Sequence, residues 1–351
     1  MIRSHLTEFA GLPVLDFPST GAEAEFMWQA KRAGREDSAA EDRAEETARL
    51  DSAKQAPATV AWRLRLVADD EEEFGDYFAR FVREVDTTAI TALVFGDWGL
   101  YDGPDPTAET VRDPLIAQAD SFGALRSLFI GDIIYEECEI SWINQCDMGP
   151  LLAAFPHLEE LTTRGVGDTY SSDALLAMQI GEHTALRSLT VQSGGLPGRV
   201  VREIASAKLP NLERLELWFG VDFYGGDATP DDLAPVLTGE SVPKLTHLGL
   251  RNAADTTVWL KALTTAAVLP RLVSVDLSMG TLNGDDVDPL VSALPQLAHL
   301  DTLDLHHHYL TEDEVTRVRT AFAAEGVSVD LSDAREPNDP DDPTPYPAVS
   351  E

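Results

Sequence analysis

The sequence is poor in basic residues, and this shortage limits its partners. Its 351 residues include 26 Lys and Arg against 61 Asp and Glu, which gives a formal net charge of −35. Such a surface repels phosphate backbones and anionic membranes, so we expect no nucleic acid and no membrane as partner. Basic protein surfaces or cations are the more favourable partners. Acidity of this degree also serves simply to keep many proteins in solution.

Cysteines and long apolar runs are scarce as well. The only two cysteines, Cys138 and Cys146, predict no disulfide framework, and they lack the two-residue spacing of a metal knuckle. The first residues lack the continuous apolar segment of a secretory signal. No stretch approaches the roughly 18 apolar residues that a membrane helix requires. We therefore predict a soluble, cytoplasmic protein.

Sequence motifs of common enzymes are absent too. There is no Gly-x-Ser-x-Gly, no phosphate-binding Walker loop, no Gly-x-Gly-x-x-Gly and no His-Glu-x-x-His pattern. The glycine-rich stretches SGGLPG (193–198) and YGGD (224–227) follow predicted strands and are interpreted as turns. We expect no cofactor and no intrinsic enzymatic activity.

What the sequence does contain is an internal repeat. Eight segments have Leu or a related residue at the first, fourth and, in most of them, sixth positions, and they start 26 to 35 residues apart. Each unit predicts a short strand, a turn and a helix. Because one unit cannot bury its own leucines, we expect the units to stack. The segments ITALVF, LRSLFI, LEELTT, LRSLTV, LERLEL, LTHLGL, LVSVDL and LDTLDL begin at Ile90, Leu125, Leu158, Leu186, Leu212, Leu245, Leu272 and Leu300.

These units resemble leucine-rich repeats, and their length and helices are similar to the ribonuclease-inhibitor type. The resemblance implies an α/β solenoid in the form of a horseshoe, with about eight repeats plus caps. Parallel strands would line its concave face and helices its convex face. More narrowly, HLTEFAGLPVLDFP, ISWINQCDMGPLLAAFPHLEEL, DFYGGDATPDDLAPVL, LTHLGLRN and LDLHHHYL resemble a bacterial leucine-rich-repeat family of uncharacterised function. That resemblance implies no activity.

The parts outside the repeats suggest a division of the chain. Residues 1–30 and 58–87 are predicted to form an N-terminal cap, and 88–333 the solenoid. Residues 31–57 are charged and rich in alanine, and we favour a flexible insertion there over a solvated helix. The acidic, proline-rich residues 334–351 are predicted to be a disordered tail.

Three consecutive histidines, His306 to His308, are a candidate metal site. Successive side chains of a strand point to opposite faces, so the three cannot converge on one ion. His308 falls where a turn-forming Asn often lies in such repeats. We therefore predict no metal site.

The binding residues are predicted from the outward positions of the repeat frame. Side chains alternate along a strand, so the residues between and after the inward leucines line the concave face. Trp218, next to Arg251 on the neighbouring repeat, is either an exposed binding hot spot or packs against FGVDF. The predicted binding residues are Arg164, Gln192, Glu216, Trp218, Arg251, Asp276, Asp304 and His306.

Two hypotheses for function follow. The first is a non-enzymatic recognition module that binds a partner protein on its concave face. The second is a regulatory subunit that modulates a partner enzyme such as a nucleotide hydrolase, as some members of the ribonuclease-inhibitor-like group do. The identity of the partner and the oligomeric state do not follow from the sequence.

Overall fold

The leucines of the repeat frames form the strands of a single sheet. The computed structural model describes residues 2–34, 37–68, 70–100, 106–167, 176–336 and 344–350. Within these residues, twelve strands follow one another in chain order and do not close into a barrel. The first pair is antiparallel and all later pairs are parallel. The strands are β1 Glu8–Phe9, β2 Leu12–Phe17, β3 Ala61–Leu64, β4 Ala92–Phe95, β5 Ser127–Ile130, β6 Glu160–Arg164, β7 Ser188–Gln192, β8 Arg214–Gly220, β9 His247–Ala253, β10 Ser274–Asp276, β11 Thr302–Asp304 and β12 Ser328–Asp330.

Helices connect the strands and cover one face of the sheet. The helix α11 begins with a capping box, because Thr311 accepts from the backbone N–H of Glu314 while the Glu314 side chain accepts from the backbone N–H of Thr311. None of the helices in the described ranges is long and apolar enough to cross a membrane. The helices are α1 Ala22–Arg32, α2 Ala39–Gln55, α3 Phe74–Glu84, α4 Glu109–Ala117, α5 Gly149–Ala154, α6 Gly198–Ser206, α7 Ala234–Leu237, α8 Thr256–Thr264, α9 Val287–Ser292, α10 Leu294–Leu297 and α11 Glu312–Glu325.

Parallel pairing in register stacks the repeat leucines into a continuous core. Leu189 of β7 pairs with Leu215 of β8, which pairs with Leu248 of β9, and all three are buried. The same row continues through Val275 and Leu303. The core therefore lies between the sheet and the helices. We call the other side of the sheet the open face.

The region predicted to be an N-terminal cap continues the same sheet, since β2, β3 and β4 pair in parallel. Its core is aromatic. Phe81 of α3 packs edge-on against Phe17 and Trp62, with ring centroids 5.1 and 5.6 Å away, and all three rings are buried. The short strand β1 pairs antiparallel with β2 and ends the sheet.

The prediction of a flexible insertion over residues 31–57 is wrong for most of that range, because Ala39–Gln55 form the helix α2. Alanine, glutamate and arginine have high helix propensity, and Arg43 pairs with Glu46 one turn later at 2.7 Å. The helix is also attached to its surroundings: Ala53 is buried, and Lys54 forms an ion pair with Glu84 of α3 at 2.8 Å.

The prediction of a disordered tail is wrong for residues 344–350. These residues are ordered against the ends of the strands, and Val349 is 2% exposed. Residues 337–343, which the same prediction covers, lie outside the described residues. The acidic, proline-rich composition of the tail predicted that it would be solvated. Instead, Ala348 and Val349 pack against Trp218 and Met279.

We expect Phe81→Ala to lower the free energy of unfolding by about 3–5 kcal/mol, because it leaves a cavity between Phe17 and Trp62. Phe223→Ala, at a side chain that is 75% exposed, is the matched control and should change it by about 0.5 kcal/mol or less. Urea denaturation followed by circular dichroism measures both. Equal effects of the two substitutions would contradict the aromatic core described above.

Candidate functional site

A row of carboxylates crosses the open face in the carboxy-terminal half of the sheet. Glu216 of β8 pairs with Gly249 of β9, and Asp276, Asp304 and Asp330 follow at the same register on β10, β11 and β12. Adjacent strands lie about 4.8 Å apart, so residues distant in the sequence become neighbours. We call Glu216, Asp276, Asp304 and Asp330 the acidic row.

A depression of about 340 Å³ lies over the acidic row. Gly249 helps to form its floor, because a Cβ at this position would lie 2.9 Å from Cγ of Glu216. Its lining is polar, so it suits a hydrophilic, positively charged group better than an apolar one. The other polar side chains that line it are Arg214, His247, Ser274, Thr302 and Ser328.

Arg251 compensates one end of the acidic row. Its Nη1 atom lies 2.7 Å from Glu216 Oε1, and its Nε atom lies 3.2 Å from Asp276 Oδ2. No arginine or lysine of the described residues lies within ion-pair distance of Asp304 or Asp330. The excess negative charge of the row is therefore at its β11–β12 end.

Asp304 is held in its ionised form. Burial alone would raise its pKa, but hydrogen bonds from the side chain and the backbone N–H of His306, at 2.8 and 2.9 Å, outweigh burial and lower it. The same side-chain hydrogen bond raises the pKa of His306. On the neighbouring strand, burial raises the pKa of Asp276 although Arg251 lies beside it. The charge of the row is thus concentrated on its exposed end.

His306 adds an imidazole to this end of the row. Ligand atoms of Asp304, His306 and Asp330 all lie within 4.8 Å of one another, and these are groups that bind divalent cations. The sequence predicted no metal site, because the members of this group come from two strands and are not neighbours in the chain. The consecutive histidines diverge as expected: His307 contacts Arg335, and buried His308 bonds the carbonyl of Leu331.

Trp218 is not the exposed side chain that the hot-spot hypothesis required. It is 5% exposed and packs in a small apolar cluster with Ile140, Met279 and Val349. Its Nε1–H donates to Glu216 Oε1 at 2.7 Å, and the Arg251 guanidinium lies over its ring at 5.0 Å. The cover comes from the carboxy-terminal segment, whereas the sequence suggested only the neighbouring FGVDF. Trp218 therefore lies beside Glu216 on the open face and helps to fix the position of that carboxylate.

Arg164 and Gln192 contact each other rather than the rest of the predicted site. The Arg164 Nε–H donates to Gln192 Oε1 at 2.7 Å, and its Nη1 atom donates to the carbonyl of Ile133 at 3.0 Å. Arg164 is 5% exposed, and burial lowers its pKa to about 10. It cannot bind a partner without unpacking. The predicted residues thus form two groups, and the one from Glu216 to His306 includes the half-buried carboxylates of the acidic row.

A network of charged side chains, which the sequence analysis did not predict, fastens the amino-terminal segment over β2–β5. Arg63 contacts Asp132 at 3.0 Å, and Arg65 contacts Glu137 at 3.3 Å. His5 bridges the two acidic residues, because one ring nitrogen lies 3.0 Å from the carbonyl of Asp132 and the other 3.0 Å from Glu137 Oε1. The alternation of Arg63 and Arg65 along their strand was the available signal. This part of the open face is covered.

His5 makes the attachment of the amino-terminal segment dependent on pH. Burial would lower the pKa of His5, but the hydrogen bonds to Asp132 and Glu137 outweigh it and raise the pKa from 6.5 to about 9. A raised pKa means that the stabilisation is complete below pH 6.5 and is lost as the pH rises towards 9.

We expect the free energy of unfolding of the wild type to exceed that of His5→Gln most at pH 6, and the difference to shrink as the pH rises to 9. Denaturation curves of the two proteins at pH 6, 7.5 and 9 measure this difference. The contributions of all other titrating groups, which both proteins share, cancel in the difference between the two free energies of unfolding. A difference that stays constant over the range would contradict the raised pKa.

Comparisons with known proteins address the fold. The chain is similar to a Bacteroides fragilis protein whose crystal structure was determined by the Northeast Structural Genomics Consortium, with 28% sequence identity and a TM-score of 0.72. The likeness covers 90% of this chain and 86% of that chain. No family model matches the sequence, and no curated protein matches it. The two similar chains therefore share a fold over nearly their full length.

Proposed function

We propose that the chain is a leucine-rich-repeat horseshoe of the ribonuclease-inhibitor type that acts in the cytoplasm as a non-enzymatic recognition module. The open face of the sheet is its concave face, and it binds a basic segment of a partner protein. Support for the repeat class comes from the leucine frames, which supply parallel strands in chain order with helices on one side. The likeness to the Bacteroides fragilis protein supports the fold and adds no activity.

The acidic row carries the functional proposal. Its β11–β12 end presents two carboxylates on adjacent strands, without an arginine or lysine of the described residues beside them. A guanidinium group of a partner can donate to two carboxylate oxygens at once, which adds geometric specificity to the charge attraction. The neighbouring depression, floored by Gly249, has room for the side chain that bears the charge. The ligand class is therefore an arginine- or lysine-bearing peptide segment.

The net charge of −35 favours the same class of partner. Long-range attraction raises the association rate of a basic partner and opposes nucleic acid and anionic membranes. Cys146, one of two cysteines, is buried, and burial raises the pKa of its thiol to about 12. A thiol in that state is a poor nucleophile, which supports recognition rather than catalysis at this residue.

We expect Asp304→Asn combined with Asp330→Asn to weaken binding of a capped hexa-arginine peptide at least tenfold, as measured by isothermal titration calorimetry at physiological ionic strength. Asparagine keeps the carbonyl oxygen that accepts from the backbone N–H of His306 in one case and of Ser332 in the other, so the strand ends should stay folded.

The matched control is Glu45→Gln with Asp51→Asn on the exposed side of α2, which changes the net charge by the same amount. This control should bind the peptide within about twofold of wild type. Equal losses in both double variants would show that only overall charge matters and would contradict the site. Binding by the wild type that disappears with a chelator would assign the site to a metal ion instead.

A further inference from the structure

The carboxy-terminal segment, residues 344–350, lies across the ends of several strands as a bound peptide would. Its backbone is held by groups from four separate parts of the chain. The Tyr309 hydroxyl donates to the carbonyl of Tyr346 at 2.8 Å, and the backbone N–H of Ala348 donates to the carbonyl of Met279 at 2.8 Å. Farther along, Asn252 and Ser141 hold Val349 and Ser350. We call the surface formed by Ser141, Gly194, Trp218, Asn252, Met279 and Tyr309 the tail groove.

Asn252 recognises the main chain of this segment through both ends of its amide. Its Oδ1 atom accepts from the backbone N–H of Val349 at 2.9 Å, and its Nδ2 donates to the carbonyl of the same residue. Asn252 is fully buried and has a left-handed φ of 53°, a conformation that Asn tolerates better than most residues. Asn252 thus contacts both the N–H and the C=O of a single residue. These contacts select an extended backbone and do not depend on the side chain of the bound residue.

The side chain of Val349 supplies the apolar part of the contact. It is 2% exposed and packs against Ile140, Trp218 and Met279. Gly194 allows the next residue to approach, because a Cβ at Gly194 would lie 2.8 Å from the carbonyl oxygen of Ser350. The tail groove therefore combines a main-chain clamp with a pocket for one small, branched apolar side chain.

The segment is attached to the sheet from outside the repeats. None of its residues belongs to a strand or helix, and its contacts are to side chains and carbonyls at the strand ends. Val349 packs in an apolar cluster that is separate from the leucine core of the repeats. The surface it covers includes Trp218, which contacts Glu216 of the acidic row.

We propose that the tail groove is a binding site for an extended peptide of a partner protein, with a small branched apolar residue at the Asn252 clamp, and that residues 344–350 occupy it as an internal competitor. The chemistry of the occupant defines the ligand: a proline-containing, extended segment resembling Pro-Ala-Val-Ser. The groove includes none of the carboxylates of the acidic row, although its Trp218 donates to Glu216. Loss of peptide binding in the groove and loss of hexa-arginine binding at Asp304 and Asp330 are therefore separate outcomes.

The test uses the full chain and a capped, fluorescein-labelled peptide with the sequence of residues 344–350. Val349→Asp places a charge in the apolar pocket and should release the segment. By fluorescence anisotropy, we expect the peptide to bind the Val349→Asp chain at least tenfold more tightly than the wild type. In the wild type the attached segment competes at high effective concentration.

Two altered peptides test the clamp without changing the protein. N-methylation of the valine removes the N–H that donates to Asn252, and replacement of the valine by aspartate removes the apolar contact. Each should weaken binding to the Val349→Asp chain at least tenfold. The double variant Asp304→Asn, Asp330→Asn, combined with Val349→Asp, should bind the unmodified peptide as the Val349→Asp chain does.

Failure of the peptide to bind the Val349→Asp chain, with circular dichroism unchanged from wild type, would overturn the proposal. Equal binding to wild type and Val349→Asp would overturn the competition, and unchanged binding of the N-methylated peptide would overturn the clamp. A wild-type dimer in analytical ultracentrifugation that becomes a monomer on Val349→Asp would show that the groove holds the segment of a second copy, which overturns internal competition.

Discussion

The burial of the repeat leucines is the constraint on which the rest of the structure depends. A single strand, turn and helix cannot cover its own leucines, so each unit must pack against the next in one fixed register. Leu189, Leu215 and Leu248 show the result, since they pair side by side and are buried together. That register also determines which side chains are neighbours on the open face, because the residues next to the paired leucines are aligned in rows across the strands. The acidic row is a consequence of stacking, as well as a candidate site.

Rows of like charge are costly, and the structure limits that cost at one end only. Arg251 lies between Glu216 and Asp276, whereas Asp304 has His306 and Asp330 is exposed. Carboxylates on neighbouring strands repel one another, so the uncompensated end is a place where a cation would stabilise the protein. A cation that bound at this end would therefore also stabilise the fold.

Both terminal segments decide which part of the open face remains accessible. Residues near His5 are fixed over the first strands by a network of ion pairs, and residues near Val349 are fixed at the strand ends by apolar packing and the Asn252 amide. Within the described residues, neither segment lines the depression over the acidic row. The two coverings differ in chemistry, since one depends on charge and pH and the other on apolar packing and hydrogen bonds to the main chain.

The extent of successful prediction follows from the range of the interactions involved. The leucine frame is a local pattern, and the strands that it predicts lie at the expected positions. The helix over residues 39–55 was missed because its charged composition resembles that of a flexible linker, while its stability includes contacts such as the burial of Ala53. The burial of Trp218 was missed because Val349 lies far away in the sequence.

The sequence by itself therefore determined the repeat, the order of the strands and the residues that lie on the open face. These depend on periodicity, which each unit repeats. Only the tertiary structure decided that Arg164 is buried and bonds Gln192, that Trp218 lies beneath the carboxy-terminal segment, and that Asp330 completes a group with Asp304. Those outcomes depend on single contacts between distant parts of the chain, and such contacts have no period from which a sequence pattern could predict them.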